Sequence, residues 1–528
     1  MTQTTEARPG STPTRPTRLP ALEVLTTVLD PGSFRSWDQP VTQPDLGEEY
    51  AADLRKARER SGVDEAVMTG EGLLDGRRVA VVAGEFAFLA GSIGQAASER
   101  LTVAVERATE EGLPLLASPS SGGTRMQEGT PAFLQMVKIG QAVMAHRQAG
   151  LPYLVYLRHP TTGGVLASWG SLGHLTVAEP GALVGFLGPR VREVIHGEPF
   201  PPGVQVSENL ARRGVLDGVV PLEELRGLAI AALHVLTAPQ EPARSAGRSA
   251  YRSTHRSTHR STGEPVGPPD VGEESSAWSS VEATRRADRP GLRELLEHAA
   301  ETFIPLRGTG SGESDLTVIF GLARFDGVSC VLVGQDRQAQ QNTYLGPAAL
   351  RVAQRGFQLA EELSLPVVTV IDTPGADLSP EGEEGGMAGE IARTLGALAT
   401  VRVPVVSVVL GEGTGGGALA LMPADRTVCA EHGWIAPLPP EGASAIVHRS
   451  GERAAEMAEL HRIRAVDLLR TGAVDEIVPE HPDAAEEPEA FSQRVAQAVV
   501  GHLADLLAMP EGERLAARRA RYRTLGGR

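Results

Sequence analysis

Apolar and polar positions follow two recurring rhythms along this chain. RVAVVAGEFAF from Arg78, LPLLASP from Leu113 and LPYLVYLRH from Leu151 are near-continuous apolar runs, the pattern of strands buried on both faces. Between them, QAASERLTVAVERATEEG and PAFLQMVKIGQAVMAHRQAG space their apolar residues three and four apart, which predicts amphipathic helices. Strands alternating with helices imply parallel pairing. The second helix is expected to start with Thr130 as N-cap and Pro131 at its first position, and to close at Gly150 ahead of Pro152.

Beyond Trp278 the rhythm returns. A hairpin-like stretch, LTVIFGLARFDGVSCVLVG, precedes helix GPAALRVAQRGFQLAEELS, strand LPVVTVID, helix MAGEIARTLGALATVR and strand VPVVSVVLGEG, which runs into GTGGGALALM. ARRGVLDGVVP parallels LLRTGAVDEIVP, with Gly214 matching Gly472 at a separation of 258. Gly122 pairs with Gly375 at 253 and Gly164 with Gly416 at 252. Near-constant offsets predict two copies of one domain. Composition marks the boundaries: residues 1–20 form a Thr/Pro/Arg-rich arm, 21–238 the first domain, 239–276 a low-complexity linker with tandem RSTH, and 277–528 the second domain.

With 528 residues the chain can bury more than one core, and 50 basic against 66 acidic residues give −16, which argues against nucleic acid as a partner. Cys330 and Cys429 both lie in apolar runs, so neither a disulfide framework nor a four-cysteine metal site is expected. His255 and His259 stand four apart in the linker, without the carboxylate or helical context of a metal site. No apolar run approaches the roughly 18 residues of a membrane span and the first twenty residues lack a signal-peptide core, so a cytoplasmic protein is expected.

The candidate chemistry lies at the strand-to-helix corners. SGGTRMQEGTP follows the apolar run Leu113 to Ala117, and its Gly122 and Gly123 let a ligand carbonyl press against backbone N–H groups. One helix and one strand later come Gly163 and Gly164, opening another helix. The second copy offers Gly375 and Ala376 with Gly415, Gly416 and Gly417. Two oxyanion holes, one per copy, are the expectation; a tight turn is the alternative for any single pair. DTPG and GEGTGGGA also suggest nucleotide binding, but no GxxxxGK[ST] occurs, and GxSxG and HExxH are absent too.

DPGSF, GEFAFLAGSIG, SGGTRMQE and PTTGGVLASWGSLGHLTVAEPGALVGFLGPRV in the first half, with AWSSVEATRRADRP, GLARFDG, DTPGADLSPEGEEGGMAGEIAR and PPEGASAIV in the second, carry a chain-wide resemblance. The chain resembles the biotin-dependent acyl-CoA carboxylase carboxyltransferases, its first half similar to the β subunit and its second to the α subunit of bacterial acetyl-CoA carboxylase. The resemblance implies an α/β fold of tandem crotonase-like ββα superhelix domains, with acyl-CoA on the first half and biotin on the second. It implies carboxyl transfer from carboxybiotin on a separate carrier protein to acetyl-CoA, giving malonyl-CoA, with the released biotin nitrogen taking the α-proton. Transfer to another short acyl-CoA, malonyl-type decarboxylation and a non-catalytic scaffold role are the alternatives.

Arg125 and Arg190 are the cations nearest the presumed acyl site, and either could meet a carboxylate or CoA phosphate or form an internal salt bridge. Lys56 and Lys138 are the only lysines, neither in the Met-Lys context of a biotinylation site, and nothing resembles an ATP-grasp segment. Partner biotin carboxylase and carrier subunits are therefore expected, with ATP used only by the former and no metal in this chain. The sequence departs from the family in lacking a four-cysteine zinc ribbon, in carrying GQDRQAQQNTYLG where a basic run is usual, and in Pro439. Relatives build each site across a dimer. The 38-residue linker reaches about 30–35 Å as a flexible coil, so an obligate two-fold dimer, or a trimer of such dimers, is expected.

Overall fold

The computed structural model describes residues 16–188, 193–194, 197–198, 200–240 and 276–524. The chain divides into two compact units, Met1–Leu236 with Leu306–Ser314, and Thr237–Pro305 with Asp315–Arg528. The segment Leu306–Ser314, which the sequence groups with the second half, belongs to the first unit. Of the expected arm and linker, residues 1–15 and 241–275 lie outside the described residues, His255 and His259 among them.

The first unit is built on a seven-stranded sheet in chain order: β1 (Arg35–Ser36), β2 (Val67–Leu74), β3 (Arg77–Gly84), β4 (Leu115–Ser118), β5 (Tyr153–Leu157), β6 (Leu175–Ala178) and β7 (Gly218–Val219). β2 and β3 pair antiparallel through a tight turn in which Asp75 and Gly76 both take positive φ, the geometry that suits a two-residue hairpin loop. From β3 onward the pairing is parallel, as the alternation of strands and helices predicts. Helix α1 (Gln95–Glu110) buries Ala97, Leu101, Ala104, Val105 and Ala108 on one face, against a core that includes Val82, Leu115 and Val155. Helix α2 (Gly129–Gln148) follows. It begins two residues earlier than expected, with Glu128 rather than Thr130 at the N-cap, because a short 3₁₀ turn, Met126–Glu128, leads straight into it.

The second unit repeats the plan in an eight-stranded sheet. Its main path is β8 (Thr302–Leu306), β9 (Val318–Phe325), β10 (Val328–Gln335), β11 (Val367–Thr373), β12 (Val405–Thr414), β13 (Arg426–Ala430) and β14 (Glu476–Val478), and Trp434–Ala436 pairs with β12 off that path. Asp326 and Gly327 turn the β9–β10 hairpin with positive φ, as Asp75 and Gly76 do in the first unit. Helix α3 (Pro347–Glu362) and helix α4 (Met387–Thr400) take the places of α1 and α2. Helix Pro488–Leu507 contributes Phe491, Val495, Val499 and Leu503 to the core beneath the strands.

Several motif residues serve this framework. Asp30 of DPGSF accepts the N–H groups of Asp75 and Gly76 at 3.0 and 2.8 Å and so holds the first hairpin turn. Arg289, fully buried, forms two 2.8 Å bonds to Glu480. Both cysteines are buried free thiols, and burial pushes Cys330 up to about 12.

Candidate active site

In each unit two corners of backbone meet. After β4 the chain runs through Gly122 and Gly123, and after β5 it passes a short strand, Thr161–Thr162, into the turn that starts at Gly163. Gly123 (φ +108°) and Gly163 (φ +64°) both need conformations that side chains disfavour. They also touch: a methyl group on Gly163 would lie 3.2 Å from Gly123 Cα, and one on Gly123 3.8 Å from Gly164 N. In the second unit the corner after β11 carries Gly375 (φ +138°), and the helix Gly415–Leu419 opens with Gly415 at φ +64°. A methyl group on Gly417 would lie 3.5 Å from Ala376 N.

The two sites correspond residue by residue at one offset, 252, in their hydrogen bonds, bridges and φ angles. Gly123 N–H donates to Ser121 Oγ at 3.0 Å and Gly375 N–H to Thr373 Oγ1 at 3.1 Å. Ile93 bridges Thr124 as Leu345 bridges Ala376, and Gly163 and Gly415 share φ +64°. The pairing of Gly122 with Gly375 is therefore corrected to Gly123 with Gly375.

Hydrogen bonding then decides which amides are left without an acceptor. Gly122 N–H donates to Ala90 O at 2.9 Å and Gly163 N–H to Phe186 O at 2.9 Å, while those of Gly123 and Gly375 are taken by the hydroxyls. Among the described residues, the N–H groups of Thr124 and Gly164 in one unit, and of Ala376 and Gly416 in the other, have no acceptor. Gly164 and Gly416 stand in the first turn of their helices, where N–H groups lack intrahelical partners. Each unit thus offers one free N–H from each corner, the arrangement that stabilises a developing oxyanion. Thr124 was not anticipated; its Gly-Gly prefix drew attention to the glycines, whereas the N–H left without an acceptor belongs to the residue after them.

Arg125 does not reach this site. It is fully buried, pairing with Glu65 and Glu128, contacting Tyr50 Oη at 3.3 Å and Ser92 O at 2.8 Å, and lying over the Phe88 ring. Burial opposes its charge, but the Glu65 carboxylate outweighs burial and raises its pKa. Burial, with the Glu128 carboxylate, pushes the Tyr50 hydroxyl up to about 12. Of the two roles open to Arg125 in the sequence, a ligand contact or an internal salt bridge, the structure shows the salt bridge, which leaves its guanidinium no free face. Arg190 lies outside the described residues.

Asp372 of DTPG is buried beneath the second corner, and burial pushes its carboxyl up to about 6 against the attraction of Arg337 and Arg289. Its Oδ1 accepts Glu412 N–H at 3.2 Å, and its Oδ2 stands 3.8 Å from Arg337 Nε. Among the described residues no His, Cys, Asp and Glu group is suited to hold a metal, and no helix is long and apolar enough to cross a membrane.

Residues 16–257 match the carboxyl transferase domain family, and residues 270–526 the family described as acetyl co-enzyme A carboxylase carboxyltransferase-like. A probable biotin-dependent acyl-coenzyme A carboxylase beta3 subunit of Mycobacterium tuberculosis is 56% identical over 508 residues, 94% of this chain and 97% of that one. The chain belongs to the biotin-dependent acyl-CoA carboxylase carboxyltransferases. The acetyl-coenzyme A carboxylase carboxyl transferase subunits beta/alpha of Salinispora arenicola are 37% identical to this carboxyltransferase over 522 residues, covering 96% and 91% of the two chains. Among solved structures, transcarboxylase 12S aligns with a TM-score of 0.70 at 20% identity, over 93% of this chain and 90% of that one. A single-chain, multi-domain long-chain acyl-CoA carboxylase aligns at 0.68 and 18% identity, over 91% of this chain and 46% of that one. The fold is the tandem crotonase-like one that the resemblance implies.

Proposed function

We propose that this chain transfers a carboxyl group from carboxybiotin, held on a separate carrier protein, to the α-carbon of acetyl-CoA, giving malonyl-CoA. The observation that carries this reading is the repetition of one donor geometry in both units at a constant offset. A reaction that must hold charge on two carbonyl oxygens, one on each reactant, calls for two such sites. Thr124 and Gly164 N–H groups are assigned to the thioester oxygen, and those of Ala376 and Gly416 to the biotin carbonyl oxygen. Uncharged backbone donors suit that group, because they bind a neutral carbonyl and strengthen as charge develops. Carboxybiotin, when bound, supplies the carboxyl group and the base for the α-proton, so this chain's contribution is binding, orientation and oxyanion stabilisation. Each donor is worth about 10²–10³ in kcat by analogy with other oxyanion holes.

Acetyl-CoA is placed first because the second half follows the acetyl-type sequence and the Salinispora arenicola relative is named for that substrate. The assembly proposed is a two-fold dimer, or a trimer of dimers, with each site composed from the first half of one protomer and the second half of its partner. Exposed Met126, Phe133, Leu134 and Val137 beside the first corner, and exposed Leu378 and Leu419 beside the second, support an interface on these faces. Reconstitution with a biotin carboxylase and a biotinylated carrier, followed by kcat/KM for acetyl-, propionyl- and butyryl-CoA, tests the substrate. Acetyl-CoA is expected to lead; a preference for propionyl- or butyryl-CoA overturns the assignment.

A further inference from the structure

We infer that Gln335 is a positioning residue that sets the spacing of the donor pair in the second unit, an inference that rests on the carboxyltransferase reading above. β10 ends at this residue, whose side chain is fully buried. Its amide is used in both directions: Nε2 donates to the Gly417 carbonyl at 2.8 Å, and Oε1 accepts the Asp372 N–H at 3.0 Å. Asp372 starts the corner that leads to Ala376, and Gly417 follows Gly416 in the first turn of the Gly-rich helix. One side chain therefore spans the two segments whose N–H groups must converge on one oxygen.

Asp372 Oδ1 accepts Glu412 N–H at 3.2 Å, which ties the corner to the strand before the Gly-rich helix and not to the helix itself, and the bonds of Gln340 hold one arm only. Gln340 donates to the Asp372 carbonyl at 3.1 Å and accepts Thr373 Oγ1–H at 2.6 Å, and neither bond reaches the Gly-rich helix. Bridging a carbonyl and an N–H requires a donor and an acceptor at the end of one side chain, which the carboxamide supplies. A carboxylate offers acceptors alone, and a thioether of similar shape offers no useful donor.

The first unit lacks the device. Strand pairing matches Ala83 with Ser118 there and Gly334 with Val370 here, which makes Gly84 the counterpart of Gln335 and Ser120 that of Asp372. A methyl group on Gly84 would lie 2.7 Å from Ser120 N, so backbone occupies the space that the glutamine side chain fills in the second unit. The first corner is set by direct backbone contact and the second by a carboxamide clamp. Gln335 touches no reacting atom and acts through the peptide groups of Asp372 and Gly417.

The test compares wild-type protein with Gln335→Met, Gln335→Glu and, as a control, Ser407→Ala, which removes a buried 3.2 Å bond to Leu421 O elsewhere in the same sheet. In the reconstituted assay Gln335→Met is expected to lower kcat by about 10- to 100-fold, the scale of a misplaced oxyanion donor, with KM for acyl-CoA and for the carrier within about two-fold. Gln335→Glu, which keeps only the acceptor, should fall in the same direction, and it serves if the methionine variant fails to fold. Hydrogen–deuterium exchange of the intact chain supplies a readout independent of turnover. Both segments 372–377 and 415–419 should exchange faster in the Gln335 variants, while the β9–β10 hairpin stays as in wild type. A kcat within two-fold of wild type, or an acceleration spread over the sheet as in Ser407→Ala, overturns the clamp. If wild-type protein carboxylates no acyl-CoA, the carboxyltransferase reading fails, and the exchange comparison still decides the role of Gln335.

Discussion

Gly163→Ala should slow catalysis more than the equivalent Gly415→Ala, although the two glycines share φ +64°. Each alanine takes on left-handed backbone, at a cost of about 1–2 kcal/mol. What differs is what the new methyl group meets. On Gly163 it lies 3.2 Å from Gly123 Cα, a backbone atom that cannot rotate away, whereas on Gly415 its nearest neighbour is Pro437 O at 3.5 Å, an ordinary contact. Carbon atoms rest about 3.5–4.0 Å apart, so the first corner must open by about 0.3–0.8 Å. Donor geometry tolerates roughly 0.5 Å, and a 1 Å displacement costs about 10²-fold, which places the expected loss of kcat near ten-fold, or about 1.4 kcal/mol. The assay is steady-state carboxylation of acetyl-CoA together with thermal unfolding of each variant. Both variants should lose stability through the left-handed alanine, with Tm lower by about 2–8 °C and the overpacked Gly163→Ala the lower of the two, and only Gly163→Ala should lose an order of magnitude in kcat. Equal kcat in the two variants, or a Gly163→Ala rate within two-fold of wild type, refutes the reasoning.

Arg125→Leu strands the buried Glu65 and Glu128 carboxylates, so unfolding stability should fall by about 3–5 kcal/mol while KM for acyl-CoA in the folded fraction stays put; a raised KM at unchanged Tm restores a ligand role. Burial raises Asp372 from 3.8 to about 6, so the folded state favours its protonated form. This raised carboxyl makes stability fall as pH rises from about 4 to about 6, a penalty of about 3 kcal/mol that is complete above that window. Asp372→Asn should therefore gain stability over wild type at pH 7.5 and little at pH 4, and thermal scans showing the same difference at both pH values would count against it. Mixing a Gly164→Val chain with a Gly416→Val chain should restore part of the activity if sites are composed across protomers; verified heterodimers without recovery rule that out.

The strands and helices that frame the site were legible because their apolar runs and three-four spacing are set by burial, as in Val79–Ala83 and Leu101–Ala108. β2 was not, because VMTGEGLL is interrupted by two glycines. Its structure explains them: a methyl group on Gly70 would lie 2.4 Å from Arg35 O, and one on Gly72 2.5 Å from Leu29 Cδ1. The glycine corners were legible as positions where backbone must approach backbone, but not which N–H groups are free. That depends on Ser121, Thr373, Ala90 and Phe186 accepting the others, and a main-chain donor such as Thr124 leaves no mark in the residue that carries it. Arg125 shows the converse, since an arginine beside a glycine pair reads the same whether it faces a ligand or Glu65. Gln335 carried no signal, because its role comes from two segments that lie 37 and 82 residues further along the chain.

The most direct test of the account is the rate of malonyl-CoA formation by Gly164→Val and by Gly416→Val, each alone, in the reconstituted system with biotin carboxylase and carrier. The added Cβ would lie 2.9 Å from Thr124 Oγ1 in the first and 2.6 Å from Ile391 Cδ1 in the second, so each variant disturbs one donor pair and leaves the other unit intact. Both variants are predicted to lose about 100-fold or more in kcat while remaining folded. Near wild-type turnover in either one contradicts the assignment of paired backbone donors to catalysis in that unit.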